Sequence, residues 1–290
     1  MSEVTAGSAL HRFVLTVQCP DRPGIVHGFA EALLAADANI LENDQFRDAI
    51  SGSFCMRTRF ESSLDEVGAV RAHLEPAAVK FGATLTVRAE ATRTRMLVMV
   101  SKFDHCLSDL LYRWRAGELP VEIPLVVSNH FDCQELVARH GIPFVHLPVT
   151  AATKPAQEAR LLELVEQHRV DLVVLARYMQ ILSSDLCGRL AGRAINIHHS
   201  FLPGFKGAKP YHQAFERGVK IIGATAHYVT SDLDEGPIIE QDVTRVSHAY
   251  EADDLTIAGR DVERRVLARA VKLHAEDRLI RIGGRVIVFA

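Results

Sequence analysis

Within the first ninety residues the spacing of apolar positions changes several times. Phe13 to Cys19 is largely apolar with β-branched residues, and Cys19-Pro-Asp-Arg-Pro-Gly24 then breaks the run with two prolines and a glycine. Ile25 to Ala36 takes up helical spacing. Strand, turn and helix are expected in that order. Asn39 to Arg47 and Ser53 to Phe60 read as two strands joined through Ser51-Gly52, followed by a helix from about Leu64 to Phe81 and a strand at Thr84 to Arg88. The sum is βαββαβ, which packs two helices on one face of a small antiparallel sheet in the ferredoxin-like arrangement. Arg88 to Arg95 is short, polar and without apolar periodicity, so it marks the expected boundary between a domain over residues 10–88 and another over 95–290.

Beyond that boundary the pattern changes. Met96 to Val100 is continuously apolar, Cys106 to Arg115 is helical, and Glu122 to Val127, Asp171 to Leu175 and Ala194 to Ile197 are again apolar, with helices between. Buried strands alternating with helices predict a Rossmann-like α/β domain with a mostly parallel sheet. Such sheets bind ligands beyond the carboxyl ends of their strands, so the residues after each apolar run carry the chemistry. Arg281 to Val288 reads as a terminal hairpin turned by Gly283-Gly284, a structural element.

Composition narrows the possibilities. The formal charge is −3 over 290 residues, and no run of Lys and Arg is long enough to neutralise a phosphate backbone, so no nucleic-acid partner is expected. The N-terminal residues lack the basic start and apolar stretch of a secretory signal, and no segment is long and apolar enough to span a bilayer. A cytoplasmic protein with no membrane partner follows. The five cysteines are scattered and never two residues apart, so reduced, buried thiols are expected; Cys106 has no base paired with it in the sequence.

The segment richest in chemistry is Ile195-Asn-Ile-His-His-Ser-Phe-Leu-Pro203, a strand ending in amide and imidazole groups. Strand side chains alternate, so Asn196 and His198 project to one face while Ile195, Ile197 and His199 face the other. Adjacent histidines therefore diverge and no third ligand stands close, so no metal is expected. His227 is expected to pack or hydrogen-bond within its own strand. A second apolar run, Ile221 to Val229, leads into Thr230-Ser-Asp-Leu-Asp-Glu-Gly-Pro237, where a Gly-Pro turn can bring the Asp234 carboxylate beside the imidazole. Such a set suits acyl chemistry. Asn196 can donate to a developing oxyanion, His198 can donate a hydrogen bond or pass a proton, and Asp234 can stabilise the charged imidazole or take a proton from water.

These residues also carry a resemblance. Asn-Ile-His-x-Ser-x-Leu-Pro, then Gly223-Ala-Thr225 and Leu233-Asp234-x-Gly236, resembles the folate-dependent formyltransferase family. Phe205-Lys206-Gly207 and Ala176 to Leu182 stand where that family has its substrate and folate-binding loops. The resemblance implies that Asn196, His198 and Asp234 are catalytic, and that Met179, Leu182, Val229, Thr230 and Leu233 line a pterin pocket. Lys206 and His212 could also line it. Asp-Arg-Pro-Gly-Ile-Val at 21–26, within the βαββαβ order, resembles an ACT domain, a module that commonly dimerises and binds amino acids. An effector such as glycine or methionine near Asp21 to Gly24 and a homo-oligomer, dimer or tetramer, are then expected.

The remaining question is what accepts the formyl group. Nucleotide-directed transferases of the family have a glycine-rich loop after the first strand that cradles phosphate. Here Ser101-Lys-Phe-Asp-His-Cys-Leu107 has no glycine, and His199 stands where those enzymes usually have proline. The tRNA-directed branch begins directly with its α/β domain. An ACT-like module ahead of a formyltransferase-like domain instead resembles the hydrolytic branch, which takes 10-formyltetrahydrofolate to tetrahydrofolate and formate, feeding purine synthesis and balancing the one-carbon pool. No cofactor beyond the folate substrate is then implied. Transfer to an amine acceptor, or a non-catalytic sensor of folate and amino acid, are the alternatives.

Overall fold

A computed structural model of the chain describes residues 9–202 and 210–289. Two compact units emerge, one of Met1–Thr92 with Glu276–Ile282 and Ile287–Ala290, the other of Arg93–Ala275 with Gly283–Val286. No helix among the described residues is long and apolar enough to cross a membrane.

In the first unit the elements run β1 (His11–Pro20), α1 (Ile25–Ala35), β2 (Ala38–Asp48), β3 (Ser53–Ser62), α2 (Val67–Phe81) and β4 (Thr84–Ala89). The strands form one antiparallel sheet in the order β2-β3-β1-β4. Alternation along β1 sends Phe13, Leu15 and Val17 into a core shared with Phe29 and Leu33 of α1 and Leu74 and Phe81 of α2. Phe13 stacks on Phe60 of β3 with ring centroids 5.6 Å apart. Cys55 on β3 packs instead with Ile280, Ile282 and Phe289 of the tail. Arg57 donates to the Glu276 carbonyl and Arg88 pairs with Asp277 at 2.5 Å. The tail, which its sequence position assigns to the second domain, thus belongs mostly with the first unit, because apolar residues of the terminal hairpin bury against that unit's own sheet.

The second unit is built on an eight-stranded sheet. Its strands are β5 (Thr94–Val100), β6 (Val121–Glu122), β7 (Val126–Ser128), β8 (Phe144–His146), β9 (Leu172–Leu175), β10 (Ala194–His198), β11 (Ile221–Tyr228) and β12 (Ile238–Arg245). The order is β12-β11-β10-β9-β5-β7-β8, with β6 beside β5. Pairing from β10 through β9, β5, β7 and β8 is parallel, and β11 and β12 are antiparallel. Helices α3 (His105–Arg115), α4 (Gln134–Ala138), α5 (Lys154–Gln167), α6 (Ser184–Arg189), α7 (Pro210–Glu216) and α8 (Ala252–Ala275) supply the crossovers and flanks. This is the Rossmann-like, mostly parallel sheet expected of the sequence. The apolar run expected as one strand at Glu122 to Val127 is two short strands, because Pro124 has no N–H to continue a ladder. Strands β13 (Leu279–Ile282) and β14 (Arg285–Val288) pair around Gly283-Gly284.

Candidate active site

The polar residues gather at the carboxyl ends of β5, β9 and β10. In β10, Ile195 and Ile197 are buried to within a few per cent while Asn196 and His198 occupy the alternate positions. Antiparallel pairing sets Asn196 opposite His227 and His198 opposite Thr225. Cross-strand neighbours on one face touch, and here the contact is polar: Asn196 Nδ2 lies 3.2 Å from His227 Nε2. His227 Nδ1 donates to the Tyr228 carbonyl at 2.9 Å, which fixes the ring and leaves Nε2 facing both the Asn196 amide and Asp234. One amide hydrogen of Asn196 is used in this way, and among the described residues the other has no partner and can meet a ligand. The sequence predicts that His227 packs or hydrogen-bonds in its strand; its register opposite Asn196 makes the hydrogen bond one that orients the amide.

Asp234 reaches the same place from the loop after β11. His198 Nδ1 lies 3.2 Å from Asp234 Oδ2, and His227 Nε2 lies 3.7 Å from Oδ1. Burial alone would raise the Asp234 carboxyl; the two imidazoles, His198 before His227, outweigh it and hold the group well below the usual carboxylate range. Asp234 is therefore a fixed carboxylate and a poor acceptor of protons from water. Its backbone is left-handed, φ 57°, an uncommon conformation for a residue with a Cβ. The loop also packs hard against β11: a Cβ on Gly236 would stand 1.7 Å from the Tyr228 carbonyl oxygen, so only glycine fits. The Gly-Pro pair noted in the sequence is thus required by close approach, with the Pro237 carbonyl accepting from Tyr228 N–H at 2.9 Å.

Other parts of the motif brace this arrangement. Buried Thr225 donates to the Ser200 carbonyl and accepts from Leu202 N–H and Gln241 Nε2, which fixes the chain leaving β10. Ser101, just after β5, holds the neighbouring loop: its N–H donates to the Arg177 carbonyl, and its Oγ accepts from Met179 N–H and donates to Asn129 Oδ1. Ser101, at the start of the glycine-free segment after the first strand of the unit, is therefore committed to internal bonds.

Asn196, His198 and Asp234 line one cavity of about 590 Å³, together with Met179, Leu182, Val229, Thr230, Leu233 and His212. Every residue assigned to the site from the sequence and described in the structure is brought together there. Met179 and Leu233 are more than half exposed, apolar side chains turned to an open pocket. Phe205-Lys206-Gly207 lies outside the described residues. His199 departs from expectation: β10 ends at His198, so strand alternation no longer governs the next residue, and His199 lines the same cavity.

Sequence reading missed a second group altogether. Glu263, buried in α8, lies 2.8 Å from His105 Nε2, accepts from the Tyr211 hydroxyl at 2.7 Å and pairs with Arg177 at 3.4 Å. An acid on the buried stripe of a long helix, beside Val262 and Val266, was the available signal. His105, Cys106 and Glu263 bring ligand atoms within 4.8 Å of one another. Burial raises the Cys106 thiol well above its usual value and Arg177 already balances Glu263, so this set suits an internal ion network better than a cation.

Comparison with known proteins agrees with the geometry. Residues 94–271 match the Formyl transferase family. The chain is 50% identical over 279 residues to the formyltetrahydrofolate deformylase of a Corynebacterium species, covering 96% of this chain and 98% of that protein. The crystal structure of formyltetrahydrofolate deformylase from Burkholderia mallei superposes with a TM-score of 0.92 at 52% identity, over 97% of this chain and all of that one. Glycinamide ribonucleotide transformylase 1 from Symbiobacterium toebii, at 34% identity and a TM-score of 0.64, covers 68% of this chain and 95% of its own.

Proposed function

The chain belongs to the formyl transferase family, on the branch of the formyltetrahydrofolate deformylases, and from that membership and the site's geometry we propose that it hydrolyses 10-formyltetrahydrofolate to tetrahydrofolate and formate. The observation that carries this reading is the convergence of Asn196, His198 and Asp234 on one cavity with an apolar wall at Met179 and Leu233. A flat pterin buries apolar area against that wall, and the free amide hydrogen of Asn196 meets the formyl oxygen as charge develops on it. His198 uses Nδ1 on Asp234 and keeps Nε2 for proton transfer. Water as acceptor is supported by the Ser101–Leu107 segment, which has no glycine with which to cradle a phosphate and whose Ser101 is bonded to Asn129 and Met179. With 10-formyltetrahydrofolate and no amine, formate and tetrahydrofolate should appear together. In Asn196→Ala, kcat should fall roughly 10²- to 10³-fold with KM little changed. Turnover that waits for an added amine would make the chain a transferase, and folate binding with no turnover would make it a sensor.

The first unit extends this reading. Its βαββαβ order, its β2-β3-β1-β4 sheet and the turn at Asp21, whose carboxylate accepts from Arg47 at 2.7 Å, support an ACT-like regulatory module. Such a module suits a homo-oligomer in which glycine or methionine adjusts hydrolysis, so that formate reaches purine synthesis without draining the one-carbon pool. All five cysteines are free and buried, in keeping with work in the cytoplasm.

A further inference from the structure

Three buried side-chain atoms among the described residues lack a hydrogen-bond partner: Arg177 Nε, His198 Nε2 and His199 Nδ1. All three residues line the single cavity described above. Leaving a buried polar atom unmatched is costly, so three of them around one cavity form a built feature of the site.

Their chemistry is complementary to one small molecule. Arg177 Nε–H can only donate; it stands 3.4 Å from Glu263 Oε2, close enough to pair in charge, yet makes no hydrogen bond. His198 commits Nδ1 to Asp234, and its Nε2 faces the reaction. His199 sits edge-on to His198, ring centroids 5.1 Å apart at 89°, and edge-on to Tyr211 at 6.1 Å. Burial, then the charge of Arg177, pushes His199 down to about 3, so its ring is neutral and Nδ1 can serve as an acceptor. The set is therefore one donor and two acceptors. Water accepts from the first and donates to the other two, and a buried water typically makes about three such bonds.

We propose that Arg177, His198 and His199 hold the attacking water of the hydrolysis, and that Glu263 and Tyr211 position this set. The proposal rests on the hydrolytic reading above and names its nucleophile. In the step itself the water oxygen bonds to the formyl carbon while its proton passes to His198 Nε2 and the carbonyl electron pair moves onto the oxygen facing Asn196. Return of that pair breaks the carbon–nitrogen bond, and the folate nitrogen takes the proton from His198. The formic acid released then loses its remaining proton to solvent. His199 is too weak a base for the transfer and instead orients the water's second hydrogen.

The supporting frame is specific. Arg177 adopts φ 64°, one of five described non-glycine residues with positive φ, and Asp234 is another. Strained backbone of this kind persists where the surroundings enforce it, and it clusters at functional sites. Phe103 carries the guanidinium of Arg177 at 5.9 Å and that of Arg260 at 5.3 Å from its ring centroid. Tyr211 reaches Glu263 only because α8 has Gly259 beneath it, where a Cβ would stand 2.1 Å from the ring.

The test compares His199→Leu with His199→Gln in formate release without amine, alongside tetrahydrofolate binding. His199→Leu should lose roughly 10²-fold in kcat with KM and tetrahydrofolate affinity within about twofold. His199→Gln, whose carbonyl can still accept, should recover about tenfold of that loss. Wild-type kcat in His199→Leu, a loss carried by KM, or a Gln variant as slow as Leu overturns the water site. If His199→Leu fails to bind tetrahydrofolate, Arg177→Lys is read instead: lower kcat at unchanged affinity supports the site, and an unchanged rate overturns it. Formate from the unaltered enzyme keeps the hydrolytic reading whatever the variants do; its absence brings down both.

Discussion

Burial and the neighbouring charge of Arg177 hold His199 neutral down to about pH 3, whereas an unfolded chain protonates the same ring near 6.5. Between those values the unfolded state binds a proton that the native state refuses, so stability is fully present above about pH 6.5 and falls as the solution is acidified. The slope from this one group reaches at most about 1.4 kcal/mol per pH unit. Gln cannot titrate, so urea midpoints measured at pH 7 and pH 5 should drop less in His199→Gln than in the wild type. Equal drops would assign the acid sensitivity to other groups. Asp234 acts lower on the scale: its depressed carboxyl contributes stability fully above the unfolded value near 3.9, and that contribution drains away as the pH falls from there toward the lower folded value.

Among the elements, β10, β11 and the loop after β11 do most to place the site. The register of β10 against β11 sets Asn196 against His227, and the loop can close onto β11 only through Gly236. Gly236→Ala should therefore displace Asp234 from His198 and abolish formate release while leaving the cores intact. Near-native melting with activity lost is the expected pattern, and an active Gly236→Ala enzyme would contradict the close approach. Much of this was legible beforehand. Alternation along Ile195 to His198 and the Gly-Pro turn are local signals, and both are realised in the fold. What stayed hidden was non-local. Glu263 lies 52 residues from Tyr211 and 158 from His105, and no spacing rule connects them. His199 lines the cavity because β10 ends at His198 and strand alternation does not carry past that residue, and the Glu122 to Val127 run divides into two strands because Pro124 interrupts its ladder.

At the scale of the molecule, the second unit carries the whole candidate site, and the first is free for another task. Its ferredoxin-like sheet was legible from periodicity alone, whereas the return of the C-terminal tail to that unit was not, because nothing local says which sheet a terminal hairpin will cover. If the first unit regulates, millimolar glycine or methionine should change the rate of formate release, and rates indifferent to both would remove that role. The central claim is narrower: the formyl group of 10-formyltetrahydrofolate goes to water at the Asn196, His198 and Asp234 site. Turnover in water enriched in oxygen-18, with no amine present and the formate read by mass spectrometry, tests it most directly. The account predicts one heavy oxygen in each formate, released one for one with tetrahydrofolate; unlabelled formate, or none until an amine is added, would contradict it.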